Sequence, residues 1–229
     1  MRRILAFLFA LCFLAIPAEA AQGGKYVALT FDDGPSGKYT RQLLDGLYDR
    51  GVQATFLLCG YRRKDYPDIT QRIFDEGHEI GYHGYTHKNM QQMSRRDIAA
   101  EILDSQALLP EGCSPAFLRP PGGCCSDAVR QVAEARNLAI LSWSVDPRDW
   151  ATNDRLAIEK AVLGNVKDGD IVLLHDMTTS SVQAALDIVD VLLEEDFEIV
   201  TVSELARLRG VRLKAGQAYT SFPPEEKAK

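Results

Sequence analysis

Two adjacent carboxylates, Asp32 and Asp33, directly follow an apolar run that predicts a strand over residues 27–31. Successive side chains of a strand point to opposite faces, so both carboxylates can reach one centre only if the strand ends here. Gly34 and Pro35 supply that end, because glycine frees the backbone and proline cannot continue a ladder. We interpret one carboxylate as a metal ligand and the other as a base. The alternative is a solvated turn, in which Asp-Gly pairs are common.

The chain has four histidines, and two of them, His83 and His87, are four positions apart. In a helical turn or a tight loop this spacing places both imidazoles on one side. With one carboxylate they form a three-ligand site with open coordination positions, which is typical of catalytic rather than structural metal centres. Zn²⁺ suits this donor set, and Co²⁺, Ni²⁺ or Fe²⁺ could also fit. The alternatives are two surface histidines by chance and, for His78, a strand-edge residue that binds no metal.

The elements that must position these residues alternate between strand and helix along the chain. We predict strands over residues 27–31, 54–59, 78–82, 116–119, 138–145, 171–175 and 198–202. We predict helices over residues 39–50, 68–76, 126–136, 156–166, 182–195 and 203–208, together with a long helix capped by Ser94. About seven strand–helix units indicate a parallel sheet with helices outside it.

Polar residues stand at or just past the carboxyl ends of five predicted strands: Asp32, His83, Arg119, Asp146 and His175. In a closed barrel these ends converge on one mouth, where active sites lie. In a doubly wound open sheet they would spread along a line with a single crevice. We therefore predict an α/β fold of the distorted (β/α) barrel type, with about seven parallel strands.

Hydrophobic periodicity predicts the inward faces of two helices. For the helix over residues 39–50 the expected core residues are Leu43, Leu44, Leu47 and Tyr48. For the helix capped by Ser94 they are Ile98, Ile102 and Leu103.

The composition is that of an ordinary globular domain, with 46% hydrophobic and 25% charged residues in a chain of 229. The net charge of −6 disfavours nucleic acid and anionic membranes as partners. We expect one catalytic domain over residues 21–213, followed by a polar, frayed tail over residues 214–229. A monomer is expected.

The N-terminus has the features of a secretory signal peptide. Arg2 and Arg3 precede an apolar run over residues 4–16, and Ala18-Glu19-Ala20 provides a small-residue cleavage site. We expect residues 1–20 to be removed and the protein to be secreted or held in the cell envelope. An uncleaved anchor is the alternative.

Four cysteines lie beyond this segment, and export would permit disulfides between them. Cys59 stands in an apolar run and is expected to be a buried thiol. Our preferred pairing joins Cys113 to Cys124 or Cys125, since a bridge between the two vicinal cysteines would be strained. A zinc knuckle is disfavoured because the sequence has no C-x-x-C.

Five blocks of sequence occur in a characteristic order, namely Thr30–Ser36, His83–His87, Arg119–Gly123, Asp146–Trp150 and Leu173–His175. This arrangement resembles the polysaccharide deacetylases of carbohydrate esterase family 4, which share the NodB homology domain. The resemblance extends over about residues 25–209. It implies a distorted (β/α) barrel and a divalent metal. It also implies removal of N-acetyl groups from N-acetylglucosamine polymers or of O-acetyl groups from xylan.

The resemblance implies that the metal ligands are Asp33, His83 and His87. The second block departs from the family pattern, because Gly84 stands where a Ser or Thr is usual. The hydroxyl that would brace the metal loop is therefore lost, and we expect weaker metal affinity.

The resemblance also implies an acid–base pair. Asp32 would be the general base, held ionised and oriented by Arg119. His175 would be the general acid, tuned by Asp149. The alternative for Arg119 is a structural salt bridge near the barrel mouth, and for His175 it is packing at a strand end. A bell-shaped pH dependence is expected.

Three further residues would contact the substrate. Trp150 and Leu173 would form an apolar pocket for the acetyl methyl, although ordinary core packing is the default for such residues. The backbone N–H of Gly122 would stabilise the oxyanion. Gly122 replaces an aromatic residue of the family pattern, so the groove is expected to be more open. Asp146 is expected to make a hydrogen bond within its loop or behind the site.

The leading interpretation is an exported deacetylase acting on peptidoglycan or chitin-type oligosaccharides, and peptidoglycan is favoured. An acetyl-xylan esterase would use the same residues. A non-catalytic glycan-binding protein on this fold should lack Asp32, a metal ligand or His175, yet all are present.

Overall fold

The computed structural model describes residues 24–225, and the predicted signal segment over residues 1–20 lies outside the described residues. Within that range, eight strands form one sheet. They are Lys25–Asp32 (β1), Thr55–Leu58 (β2), Glu79–Tyr82 (β3), Phe117–Leu118 (β4), Ala139–Leu141 (β5), Ile171–His175 (β6), Phe197–Ile199 (β7) and Ala218–Tyr219 (β8). The helices are Tyr39–Asp49 (α1), Gly60–Asp65 (α2), Pro67–Asp75 (α3), Arg95–Gln106 (α4), Asp127–Ala135 (α5), Arg155–Leu163 (α6), Thr179–Glu194 (α7) and Val202–Leu208 (α8).

Strand β1 lies at the centre of a curled parallel sheet. Its second half pairs with β2 on one side and β6 on the other, and its first half pairs with β7. The sheet continues from β2 through β3, β4 and β5 to β8. After β5 the chain bridges back to β6 at Val145 and Val172, so the two sides of the sheet curl toward each other. The predicted distorted (β/α) barrel is confirmed, and the doubly wound sheet is not the fold.

Alternate residues of β1 face the barrel interior and the outer helices, as the two-residue period of a strand requires. Leu29 and Phe31 pack in the cluster that contains the buried leucines of α1 and the inward residues of α7. Tyr26 and Ala28 pack in a second cluster with residues of β2, β4 and β5. Asp32 belongs to the same alternating set as Tyr26 and Ala28. The strand therefore directs the carboxylate of Asp32 into the mouth of the barrel.

Most predicted elements are present with shifted bounds. Strand β6 occupies the predicted residues 171–175, whereas β5 ends at Leu141 because the following residues turn away to bond with β6. Helix α7 begins at Thr179, three residues earlier than predicted, because the side chain of Thr178 accepts a hydrogen bond from the Ser181 N–H and caps it. The short helix α2 was not predicted.

Two predicted core residues are wrong. Tyr48 is 71% exposed and Leu103 is 45% exposed. Each lies one position past the buried stripe of its helix, a rotation of about 100° at 3.6 residues per turn. On α4 the buried positions next to Ile98 and Ile102 are polar, namely Glu101 and Ser105. Apolar periodicity alone therefore misplaced the inward face of α4.

The prediction of a frayed tail from residue 214 is wrong for the part of the tail that the structure describes. Ala218 and Tyr219 form β8, which adds to the sheet beside β5. Tyr219 and Phe222 are buried, and their rings lie 5.3 Å apart. Two aromatic side chains in a mostly polar segment are enough to attach it to the core.

The cysteine predictions have a mixed outcome. Cys59 is a fully buried free thiol, as predicted, and burial raises its pKa. The predicted bridge from Cys113 to Cys124 or Cys125 is wrong, because all three are free. Cys113 packs against the cluster that contains α1 and α7, whereas Cys125 packs against the cluster between α4 and α5. The two thiols belong to different packing layers.

Candidate active site

The carboxyl ends of four strands bring the predicted charged residues together. Asp32 is the last residue of β1 and His175 the last of β6, and the two are direct partners in the ladder. His83 follows β3 directly, and Arg119 follows β4. Since all these strands are parallel, their carboxyl ends lie at one mouth of the barrel.

Asp33, His83 and His87 present one ligand atom each within 4.8 Å of one another. Asp33 Oδ1 lies 2.9 Å from His87 Nε2 and 3.3 Å from His83 Nε2. The Nδ1 of His83 lies 2.8 Å from the carbonyl oxygen of Arg119, which can only accept, so Nδ1 carries the proton and Nε2 presents a lone pair. Asp33 Oδ1 is buried and has no hydrogen-bond donor. These facing lone pairs fit a divalent cation.

The electrostatics of this group favour the ionised form of Asp33. Burial by itself raises the pKa of Asp33, but the imidazoles of His83 and His87 outweigh burial and hold that pKa well below its usual range. The hydrogen-bond distance to Asp33 is the main reason that the pKa of His87 is raised. Asp33 and His87 also have positive φ angles, 74° and 58°, which are rare for residues other than glycine. Such strained backbone persists where surrounding structure imposes it, often at functional sites.

Arg119 is fully buried and holds the carboxylate of Asp32. Its Nη1 donates to Asp32 Oδ1 at 2.6 Å and to Thr30 Oγ1 at 2.8 Å, and its Nη2 donates to the carbonyl oxygen of Ser142 at 2.9 Å. The other oxygen of Asp32 lies 3.7 Å from His83 Nε2. Arg119 therefore engages one oxygen of Asp32 and leaves the second directed toward the metal ligands.

His175 is held by a buried carboxylate on the opposite side of Asp32. Its Nδ1 lies 2.7 Å from Asp149 Oδ1, and its backbone N–H donates to Asp149 Oδ2 at 2.9 Å. Burial by itself lowers the pKa of His175, but the hydrogen bond and charge of Asp149 outweigh burial and raise that pKa to about 9. The imidazole is therefore charged at neutral pH.

The remaining predicted residues lie around this centre. Trp150 is 59% exposed on a 3-10 turn with the Arg148 guanidinium 5.2 Å from its ring, and Leu173 is buried within β6. Their joint pocket for an acetyl methyl remains a prediction. Gly122 has a φ of 70°, and a Cβ added there would meet nothing within 4 Å, which agrees with an open groove. Asp146 Oδ1 accepts from the Arg148 N–H at 2.8 Å, which confirms the predicted hydrogen bond within its loop.

Two carboxylates at the site were missed. Glu101 on α4 bonds to the loop between His83 and His87, and Asp176 accepts from Thr40 next to the loop that follows Asp33. Both are buried, and burial raises the pKa of Asp176 to about 6. A signal existed for Glu101, since it occupies a core position of α4 three residues after Ile98. For Asp176 the sequence offered no comparable pattern.

A profile of the polysaccharide deacetylase family matches residues 19–141. The chain belongs to this family and is accordingly a hydrolase of the carbohydrate esterase family 4 type. A peptidoglycan-N-acetylglucosamine deacetylase from Bacillus cereus is 39% identical over 83% of this chain and 92% of its own length. A chitooligosaccharide deacetylase from Sinorhizobium fredii is 36% identical over 92% of this chain and 96% of its own.

The fold has close solved neighbours. The structure of a family 4 acetyl xylan esterase from Clostridium thermocellum, in complex with a cobalt ion, superposes with a TM-score of 0.81. The two sequences are 33% identical, and the match covers 87% of this chain and 100% of the other.

Proposed function

We propose that this protein is a metal-dependent deacetylase that removes N-acetyl groups from N-acetylglucosamine-containing polysaccharide, either peptidoglycan or chitin-type oligosaccharide. The observation that supports this most is one cluster with three parts: three facing metal-ligand atoms, a carboxylate oriented by Arg119 and an imidazole charged by Asp149. The names of the relatives from Bacillus cereus and Sinorhizobium fredii favour this substrate class.

Asp33, His83 and His87 would hold the divalent cation, with Zn²⁺ preferred and Co²⁺, Ni²⁺ or Fe²⁺ as alternatives. When bound, such a cation polarises an acetyl carbonyl and makes water a better acid. The Arg119 carbonyl fixes the proton on His83 Nδ1, which keeps Nε2 available as a ligand.

The proton transfers then fall to this chain's own residues. Asp32, fixed by Arg119, accepts a proton from a water molecule while the oxygen of that water attacks the acetyl carbon. His175 then donates its Nε2 proton to the nitrogen as the C–N bond breaks, and acetate and an amine leave. Asp149 keeps the acid charged, because an imidazole with a pKa of about 9 is protonated at neutral pH. The Gly122 N–H would stabilise the oxyanion, and Trp150 with Leu173 would receive the acetyl methyl.

An acetyl-xylan O-esterase is the second candidate. The neighbour from Clostridium thermocellum is titled an acetyl xylan esterase and shares the fold at a TM-score of 0.81. An esterase would use the same residues, and the substrates that release acetate distinguish the two activities.

We also propose that the protein acts outside the cytoplasm as a monomer, either free after cleavage behind Ala20 or anchored by an uncleaved N-terminus. Among residues 24–225, no helix is both long and apolar enough to cross a bilayer. N-terminal sequencing of protein recovered from the cell envelope and the medium tests the cleavage.

Acetate release tests the activity. The purified protein is assayed with peptidoglycan, chitooligosaccharides and acetylated xylan, with added Zn²⁺ and with a chelator. We expect release from the N-acetylated substrates that the chelator abolishes and Zn²⁺ restores. Release from xylan alone would establish the esterase instead, and release from all substrates that resists the chelator would overturn metal dependence.

A further inference from the structure

Glu101 accepts hydrogen bonds from the loop that joins the two proposed histidine ligands, His83 and His87. The residue is 8% exposed on the inward side of α4. Its Oε2 accepts from the Tyr85 N–H at 2.6 Å and from the Thr86 N–H at 2.7 Å. Its Oε1 accepts from Thr86 Oγ1 at 2.7 Å. One carboxylate thus satisfies three donors in the two residues immediately before His87.

A second residue of the same helix also makes a hydrogen bond to this loop. Ser105, one turn after Glu101, donates from its Oγ to the carbonyl oxygen of Gly84 at 2.9 Å. Residues four apart on a helix share a face, so α4 presents an acceptor and a donor side by side. The helix therefore binds N–H groups and a C=O group of the same loop and fixes its orientation.

The loop has little freedom to be placed differently. Gly84 has a φ of 76°, and a Cβ added there would lie 3.0 Å from Met90 Cε and 3.1 Å from Glu101 Oε2. The resemblance to the family leads one to expect a bracing hydroxyl on residue 84. Here the backbone of residue 84 passes directly beside Glu101 instead. The bracing that the side chain of residue 84 lacks is supplied by α4.

We propose that Glu101 is a positioning residue for the metal site: it holds residues 84–86 so that His87, at a φ of 58°, keeps its Nε2 2.9 Å from Asp33 Oδ1. Without the carboxylate, the N–H groups of Tyr85 and Thr86 lose their acceptor. The loop then relaxes toward water and toward a less strained backbone at His87. This inference rests on the metal dependence of the proposed function.

The test measures the Zn²⁺ dissociation constant of metal-free protein by competition with a chromophoric chelator, well below the melting temperature. We expect Glu101→Ala to weaken Zn²⁺ binding roughly 10- to 100-fold, the usual cost of losing an outer-shell partner. Glu101→Gln should recover part of that loss, because its amide oxygen can still accept from both N–H groups. Raising the Zn²⁺ concentration should restore the turnover of Glu101→Ala.

Ser94→Ala is the matched control. Ser94 caps α4 through the Asp97 N–H, and its hydroxyl bonds to Asp97 rather than to residues 84–86, so its loss weakens the same helix without removing a loop contact. Its Zn²⁺ affinity should equal that of the wild type. If Glu101→Ala does not fold, Glu101→Asp replaces it, since the shorter side chain cannot reach both N–H groups.

The outcomes separate the two proposals. A wild-type protein that binds none of Zn²⁺, Co²⁺, Ni²⁺ and Fe²⁺ refutes the metal dependence itself. Wild-type binding with unchanged affinity in the Glu101 variants refutes the positioning role, as would an equal loss of affinity in Ser94→Ala.

Discussion

At each end of the barrel a histidine lies near a carboxylate, and at neutral pH one of these two histidines is charged and the other is neutral. At the mouth, His175 Nδ1 lies 2.7 Å from Asp149, and its pKa is raised to about 9. At the other end, His78 Nε2 lies 3.8 Å from Glu76, and burial lowers its pKa to about 4. A distance of 3.8 Å is too long for a hydrogen bond.

His78 has a structural task. Its Nδ1 accepts from the Ala54 N–H at 3.1 Å, and its ring packs edge-on against Phe56. It borders a cavity of about 300 Å³ that also includes Glu76 and Glu204. The prediction that His78 is not a metal ligand agrees with this position. The cavity has acidic residues and an imidazole, but Glu76 pairs with Arg72 and Glu204 pairs with Arg207 rather than with His78.

The difference shows that residue types and the volume of a cavity do not identify the active end. At the mouth the two proposed proton-transfer groups each have a partner at hydrogen-bond distance: Asp32 has Arg119, and His175 has Asp149. Burial alone lowers the pKa of an imidazole and leaves it neutral at neutral pH. A carboxylate in contact with the imidazole reverses this effect.

The largest expected effect comes from removing the proposed base, Asp32. Asp32→Asn should lower kcat by about 10²- to 10⁴-fold, the range for losing a general base, while Zn²⁺ binding persists. Acetate release and chelator competition measure the two quantities. Glu76→Gln, at the other end of the barrel, should leave kcat unchanged. Full turnover of Asp32→Asn with Zn²⁺ bound would remove Asp32 from the mechanism.

Removing the charge of Asp149, the partner of the proposed acid, should lower the pKa of His175 toward that of His78. Asp149→Asn abolishes the negative charge that raises the pKa of His175, so burial then dominates. We expect kcat to fall by about 10²-fold at pH 7 and the alkaline limb of the pH profile to move from near 9 to lower pH. An alkaline limb that does not move would assign it to another group.

Stability should depend on pH in opposite directions at the two ends. The folded pKa of His78 lies below its unfolded value of 6.5, so its contribution, about 3 kcal/mol, is present above pH 6.5 and is lost as pH falls toward 4. The folded pKa of His175 lies above 6.5, so its contribution is present below pH 6.5 and is lost as pH rises through 9. Chemical denaturation from pH 4 to 10 measures both limbs. Replacing His78 by Gln should flatten only the acidic limb.

The smallest effect is that of His78 at fixed pH. His78→Phe leaves the Ala54 N–H without its acceptor, which should cost about 1–3 kcal/mol of unfolding free energy at pH 7. Because the site is at the other end of the barrel, kcat should be unchanged. A loss of turnover larger than the loss of folded protein would contradict the separation of the two ends.

Much of the active site could be predicted from the sequence because its signals are local. The end of β1 at Asp32, the spacing of His83 and His87, and the order of the five blocks are each visible within a few residues. Strand–helix alternation then implies a parallel sheet whose carboxyl ends converge. These features predicted the barrel and the meeting of Asp32 with Arg119.

What only the tertiary structure decided is which groups contact each other across long separations. In the sequence, Glu101 is one of several charged residues of α4. Only the folded structure shows that it contacts residues 84–86. Leu103 was placed inward because apolar periodicity does not show that Glu101 and Ser105 face the core. Cys113 was given the wrong partner because the sequence does not show which packing layer each thiol enters. Burial and pairing act together in setting charge, and pairing is a property of the folded chain.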